Sequence, residues 1–145
     1  LRAAEDAPTV VTKGVVTVQA APLPATAGGS RAIRVTIQLQ PGWHIYANPA
    51  GVETFRPTVV ALAPGSALTL ERVEYPTGKP MPVEDGSGQV ALVYEPKASI
   101  VARIKLPAGT PSGPLTVPVQ VKYQCCNDTS CLPPATLSVP VTITP

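Results

Sequence analysis

Apolar and polar residues alternate with a period of two along much of this chain, the pattern of strands that bury one face. Ile33, Val35, Ile37 and Leu39 alternate with Arg34, Thr36, Gln38 and Gln40. Leu115, Val117, Val119, Val121 and Tyr123 alternate with Thr116, Pro118, Gln120 and Lys122. Leu137, Val139, Val141 and Ile143 do the same with Thr136, Ser138, Pro140 and Thr142. Weaker alternation marks residues 15–20, 43–46, 58–62, 68–75, 90–94 and 99–106. Within 68–75 the apolar phase slips from Leu68 and Leu70 to Val73 and Tyr75, which predicts a bulge near Glu71-Arg72. Pro64-Gly65-Ser66, Pro76-Thr77-Gly78, Asp85-Gly86 and Ala108-Gly109 read as turns. About eight or nine short strands at this spacing predict an all-β, immunoglobulin-like antiparallel β-sandwich. Its expected extent is residues 13–145, after a flexible leader over 1–12. Pro118 and Pro140 fall inside strand patterns, where the missing N–H must face an edge or a bulge.

Composition narrows the picture. Nineteen prolines and 11 glycines in 145 residues exclude a helix bundle, since even the longest proline-free stretch, between Pro24 and Pro41, reads as strand. Hydrophobic residues at 44% with charged residues at 14% exclude a disordered chain. The net charge is +2, basic residues are scattered and aromatics make up only 4%, so no nucleic-acid groove is expected. No apolar run reaches the ~18 residues of a membrane span, so this segment itself is expected to make no membrane contact. The polar start, Leu1-Arg2-Ala3-Ala4-Glu5-Asp6, lacks the apolar stretch of a secretory leader, as expected of a chain that begins after processing.

The chemistry lies in one connection. Between the last two clean strands runs Gln124-Cys125-Cys126-Asn127-Asp128-Thr129-Ser130-Cys131-Leu132-Pro133-Pro134, which holds all three cysteines. It is much longer than a hairpin turn, and long loops on rigid scaffolds often carry function. Cys126 and Cys131 are close enough for a small ring to close if the loop turns back. Such a ring of about six residues stabilises a fold by only roughly 2 kcal/mol, which suits a bond that opens and closes. The alternative is a local disulfide that merely stiffens the loop. Continued alternation past Tyr123 puts Cys125 on the core-facing phase and Cys126 on the opposite one. Cys125 then reads as a packing residue, the alternatives being a pairing with Cys126 or a resolving thiol. His44 is the only histidine and the cysteines lack two-pair spacing, so a metal site is disfavoured. Asn127-Asp128-Thr129 matches the glycosylation acceptor pattern, but a sugar between two cysteines would obstruct exchange.

The stretch Tyr123-Gln124-Cys125-Cys126…Cys131-Leu132-Pro133-Pro134 resembles the Tyr-Gln-x-Cys…Cys-x-Pro-Pro signature of the N-terminal periplasmic domain of the DsbD family of thiol:disulfide interchange proteins. Gly42-Trp43-His44-Ile45-Tyr46 is similar to a Gly-aromatic-x-x-Tyr stretch of that family, and the Tyr75-Pro76 turn and the strand at 88–94 follow its order. The resemblance covers most of residues 13–145, and the cysteine loop is its specific part.

It implies a thiol-disulfide oxidoreductase domain of the bacterial periplasm. Such a domain takes electrons from a thioredoxin-like domain and passes them to periplasmic proteins of the disulfide-isomerase type. By position Cys126 and Cys131 match the redox pair, and Cys131 matches the cysteine that forms mixed disulfides with partners. Cys125 falls where the family often has a small residue. His44, Tyr46 and Tyr123 are the expected neighbours of the pair. The matching cap loop is Val83-Glu84-Asp85-Gly86-Ser87-Gly88, which lacks the family's shielding aromatic residue.

Exchange of this kind needs no cofactor. Asp128 would raise a nearby thiol pKa, and Lys122 and His44 would lower it only if the fold brought them close. The expected domain is therefore passive until a partner supplies the activated thiolate. A reading of another class is an immunoglobulin-like binding or spacer module of an envelope protein with a structural disulfide.

Overall fold

The computed structural model describes residues 8–24, 30–66, 68–107, 109 and 113–143. The chain opens with β1 (Thr9–Lys13), β2 (Val16–Pro22), β3 (Ser30–Leu39) and β4 (His44–Tyr46). It continues through β5 (Val59–Leu62), β6 (Thr69–Glu74), β7 (Lys79–Pro82) and β8 (Val90–Tyr94). It ends with β9 (Lys97–Lys105), β10 (Leu115–Tyr123), β11 (Cys125–Cys126) and β12 (Ala135–Ile143). One sheet has the order β1-β2-β3-β9-β6, a second β12-β10-β5 and a third β11-β4-β8-β7. Every pairing is antiparallel. The described residues include no helix, hence none long and apolar enough to cross a membrane. The fold is an immunoglobulin-like β-sandwich.

Alternation builds the core. Val18 pairs with Ile37, Val35 with Ile100 and Ile33 with Ala102 on the inner face of the five-stranded sheet. Val119 pairs with Val139 and Val121 with Leu137 on the facing sheet. These residues fall in a single buried cluster with Tyr123 and Cys125 at one end. Cross-strand β-branched pairs of this kind set the register, because a one-residue slip would turn every valine to solvent. The expected bulge is present: the β6–β9 register shifts between Leu70 and Arg72.

The two strand prolines are accommodated by geometry. The Ala63 N–H donates to the Pro118 carbonyl at 2.9 Å, and in an antiparallel strand the N and C=O of one residue point the same way. The Pro118 nitrogen therefore faces past Leu62, the last paired residue of β5. Pro118 stands opposite Pro140 where β10 and β12 exchange no hydrogen bonds, so the Pro140 nitrogen faces the open edge of β12.

The sandwich starts earlier than the expected boundary at residue 13. Thr9–Lys13 pairs along β2 from Thr9 opposite Ala20 to Lys13 opposite Val16. The leader reading failed there because Val10 is 55% exposed and only Val11 packs on the core, too little to register as a pattern. Residues 1–7, Ala108 of the expected Ala108-Gly109 turn, and residues 144–145 lie outside the described residues.

Candidate functional site: a disulfide in a cleft on the small sheet

The small sheet carries Cys125 and Cys126 on β11. β11 continues the chain just beyond β10 and pairs with β4, placing Cys125 opposite Ile45 and Cys126 opposite His44. Ile45 and Cys125 are buried in the core cluster. Successive side chains of a strand leave it on opposite faces, so His44, Tyr46 and Cys126 share the other face. The structure joins Cys126 to Cys131, with Cα atoms 4.0 Å apart, and leaves Cys125 a free, buried thiol.

The loop between the bonded cysteines is organised by Asn127. Its Oδ1 accepts from the backbone N–H groups of Thr129 (2.9 Å) and Ser130 (2.8 Å) and from both their hydroxyls (3.2 and 3.3 Å). The Asn127 N–H closes the turn on the Ser130 carbonyl at 2.8 Å. Beyond Cys131, the Leu132 N–H returns to the Cys125 carbonyl at 2.9 Å, and the Gln124 side-chain amide donates to the Leu132 carbonyl at 3.2 Å. A side-chain carbonyl that substitutes for backbone partners is the usual reason for Asn at such a turn. The glycosylation pattern thus coincides with a structural role for Asn127.

The two sulfurs have unlike surroundings. Cys131 is an exposed residue, whereas Cys126 is 2% exposed. Cys126 lies on the face opposite Cys125, as the alternation predicts, and is buried there. The Tyr46 hydroxyl lies 3.8 Å from Cys126 Sγ, and it is the donor because the bonded sulfur carries no proton. Phe55 stacks on Tyr46 with ring centroids 4.8 Å apart. Thr58 anchors the loop that bears Phe55, with its hydroxyl (2.6 Å) and its N–H (3.1 Å) both on the Tyr46 carbonyl. At the near end of that loop the Tyr94 hydroxyl accepts from the Asn48 N–H (3.3 Å) and donates to the Pro76 carbonyl (2.7 Å).

A cleft of about 210 Å³ opens over the disulfide, lined by Cys126, Asn127, Asp128 and Cys131 together with His44, Tyr46, Phe55, Met81, Pro82, Val83 and Glu84. Of the expected cap loop, Val83 and Glu84 line it, whereas Asp85, Gly86, Ser87 and Gly88 do not. Asp85 instead accepts from the Ser87 N–H at 2.9 Å; the Ser87 side chain, and then this backbone bond, hold its carboxyl below the usual range, and Gly86 and Ser87 complete that turn. The aromatic wall comes from Phe55, in a loop that the sequence reading did not associate with the site.

His44 is buried, 5% exposed, and its Nε2 has no hydrogen-bond partner among the described residues. Burial lowers the imidazole pKa, against the opposing pull of the Glu95 and Asp128 charges. Burial also raises the Tyr46 phenol, which keeps it a donor at neutral pH. Tyr123 lies elsewhere. It lines a second cavity of about 290 Å³ with Cys125, Leu132, Pro133 and Pro134. Burial, and then the neighbouring Cys125, push its phenol up to about 12. Burial alone pushes the Cys125 thiol up to about 11. Lys122, exposed on β10, is not among the residues lining the disulfide cleft.

A β-sandwich that presents one short-ring disulfide in an open cleft, with one sulfur exposed and one sheltered, defines a domain for thiol–disulfide interchange. The chain belongs to the family described as thiol:disulfide interchange protein DsbD, N-terminal, whose model matches residues 12–143. No curated protein matches it. Among solved structures, the N-terminal periplasmic domain of ScsB from Proteus mirabilis is similar with a TM-score of 0.68 at 16% identity. That match covers 94% of this chain and 51% of the other, so the chain spans about half the length of that relative. The reduced DsbD N-terminal domain of Neisseria meningitidis is similar with a TM-score of 0.52 at 14% identity, covering 100% of this chain and 90% of that one. At these identities the structural likeness speaks for the fold, and the family match for thiol:disulfide interchange.

Proposed function

We propose that this domain transfers electrons in the bacterial periplasm through the Cys126–Cys131 pair, with Cys131 as the sulfur that meets the partner. The observation that carries the reading is the exposure of Cys131 beside a buried Cys126. An incoming thiolate attacks the sulfur it can reach, and the other sulfur leaves. A thioredoxin-like dithiol is the donor: its thiolate bonds to Cys131 Sγ while the electron pair of the broken bond moves to Cys126 Sγ. Its second thiol then displaces Cys131 and the donor departs as a disulfide. The reduced pair passes the two electrons on by the same steps in reverse, to periplasmic proteins of the disulfide-isomerase type. In this reading the domain is one part of a larger thiol-disulfide oxidoreductase.

Trapping tests the assignment of roles. Cys126→Ser, with Cys131 first activated as its mixed disulfide with thionitrobenzoate, should accumulate a stable mixed disulfide with a thioredoxin-like partner that carries a single attacking cysteine: the partner thiolate bonds to Cys131 Sγ, thionitrobenzoate leaves, and no resolving thiol remains. Cys131→Ser should give little adduct. Non-reducing gels of both variants decide it, and heavier trapping through Cys126 would overturn the roles.

A further inference from the structure

The buried Nε2 of His44 has no hydrogen-bond partner among the described residues of the oxidised domain. A buried polar atom without a partner is costly, and it persists where another state of the molecule supplies the partner. His44 and Cys126 are directly opposed across the β4–β11 pairing, which brings their Cβ atoms to about 4.5–5.5 Å on one face of the ribbon. Both line the same cleft. We infer that His44 is the proton partner of Cys126: when the disulfide opens, the imidazole takes up a proton and pairs with the Cys126 thiolate. This rests on the reading of Cys126–Cys131 as a redox pair.

The balance is simple. A dithiol reductant loses two electrons and two protons and becomes a disulfide. The Cys126–Cys131 bond accepts both electrons. One proton goes to Cys131 and the other to His44, which leaves Cys126 as thiolate.

The charges around the imidazole favour this state. Asp128 acts on it from the cysteine loop and Glu95 from the turn after β8, both favouring an imidazolium, and Glu84 lines the same cleft. Tyr46, on the same strand, has its ring centroid 6.0 Å from that of His44 and its hydroxyl near Cys126 Sγ, ready to donate a second hydrogen bond to a thiolate. The lining includes no Lys or Arg. In that acidic surrounding a lone Cys126 thiolate would be repelled, and His44 is the cation at hand.

The chain holds a single histidine, so its imidazole signal can be followed by NMR without assignment ambiguity. Titrated in the oxidised protein and again in dithiothreitol, the His44 midpoint should rise on reduction by at least about half a unit, where one unit is a tenfold change in proton affinity. A smaller rise, or a fall, overturns the inference. Linkage makes the coupling reciprocal. In a Cys125→Ala, Cys131→Ser background, His44→Gln should therefore raise the Cys126 thiol pKa; an unchanged thiol pKa would also overturn it. A fixed His44 midpoint with normal partner trapping removes only this inference. A moving midpoint without any exchange removes only the proposed function.

Discussion

Opening the disulfide should leave the fold standing. The perturbation is reduction of Cys126–Cys131 in the otherwise intact domain. The bond closes a ring of about six residues, and the chain-entropy relation gives about 2 kcal/mol at 25 °C for that length. Little else is lost, because the Asn127 turn, the Leu132–Cys125 hydrogen bond and the β4–β11 pairing do not depend on it. The buried cluster also lies on the other side of β11, through Cys125 rather than Cys126. A domain of this size has an unfolding entropy near Tm of roughly 0.3 kcal/mol/K, so 2 kcal/mol corresponds to about 7 °C. Scanning calorimetry and near-ultraviolet circular dichroism at pH 7, with and without reductant, measure this. The reduced domain should keep its aromatic signal at 25 °C and melt about 7 °C lower. Loss of that signal, or a fall beyond about 15 °C, would make the disulfide a structural staple and refute the reasoning.

Two further outcomes follow from the titrating groups near the cysteines. At pH 8 a thiol with pKa about 11 is thiolate in about one molecule in a thousand, against about one in four for a free cysteine. The greater nucleophilicity of a more basic thiolate returns roughly tenfold, so alkylation of Cys125 in the oxidised protein should be at least about twentyfold slower than that of free cysteine; mass spectrometry of iodoacetamide time courses checks it, and labelling as fast as free cysteine contradicts the buried assignment. The His44 midpoint in the folded oxidised protein lies below its ordinary 6.5, so the unfolded chain holds that proton more tightly. Stability from this group is whole above pH 6.5 and is lost as pH falls toward the folded midpoint; urea unfolding should show that slope in the wild type and a flatter one in His44→Gln, and equal slopes would refute it.

What the sequence made legible followed from burial on one face. The strands around Ile33–Leu39 positions, β10 and β12 alternate cleanly because each packs one face on the shared core. The bulge at Glu71 was legible for the same reason, as a slip in that alternation. β7 was not, since Pro80 and Pro82 erase a strand signal and are tolerated only because β7 is an edge strand. β11 has two residues, too few for any periodicity. The burial of Cys126 was equally hidden. Alternation reports the direction in which a side chain leaves a strand, whereas burial depends on what the rest of the chain brings there, here the Tyr46 hydroxyl against Cys126 Sγ, from far away in the sequence. The role of Asn127 was available in principle, because Asn followed by Thr and Ser two and three residues on is also the signature of a side-chain-closed turn. The free state of Cys125 agrees with its core-facing phase.

The most direct test of the account is the reduction potential of the Cys126–Cys131 pair, measured by equilibrating the domain with defined dithiothreitol or glutathione redox buffers at pH 7 and quantifying the two forms. A pair that exchanges electrons with periplasmic thiols should equilibrate above about −300 mV. A value below that, typical of structural disulfides, would contradict the claim that this bond opens and closes in function.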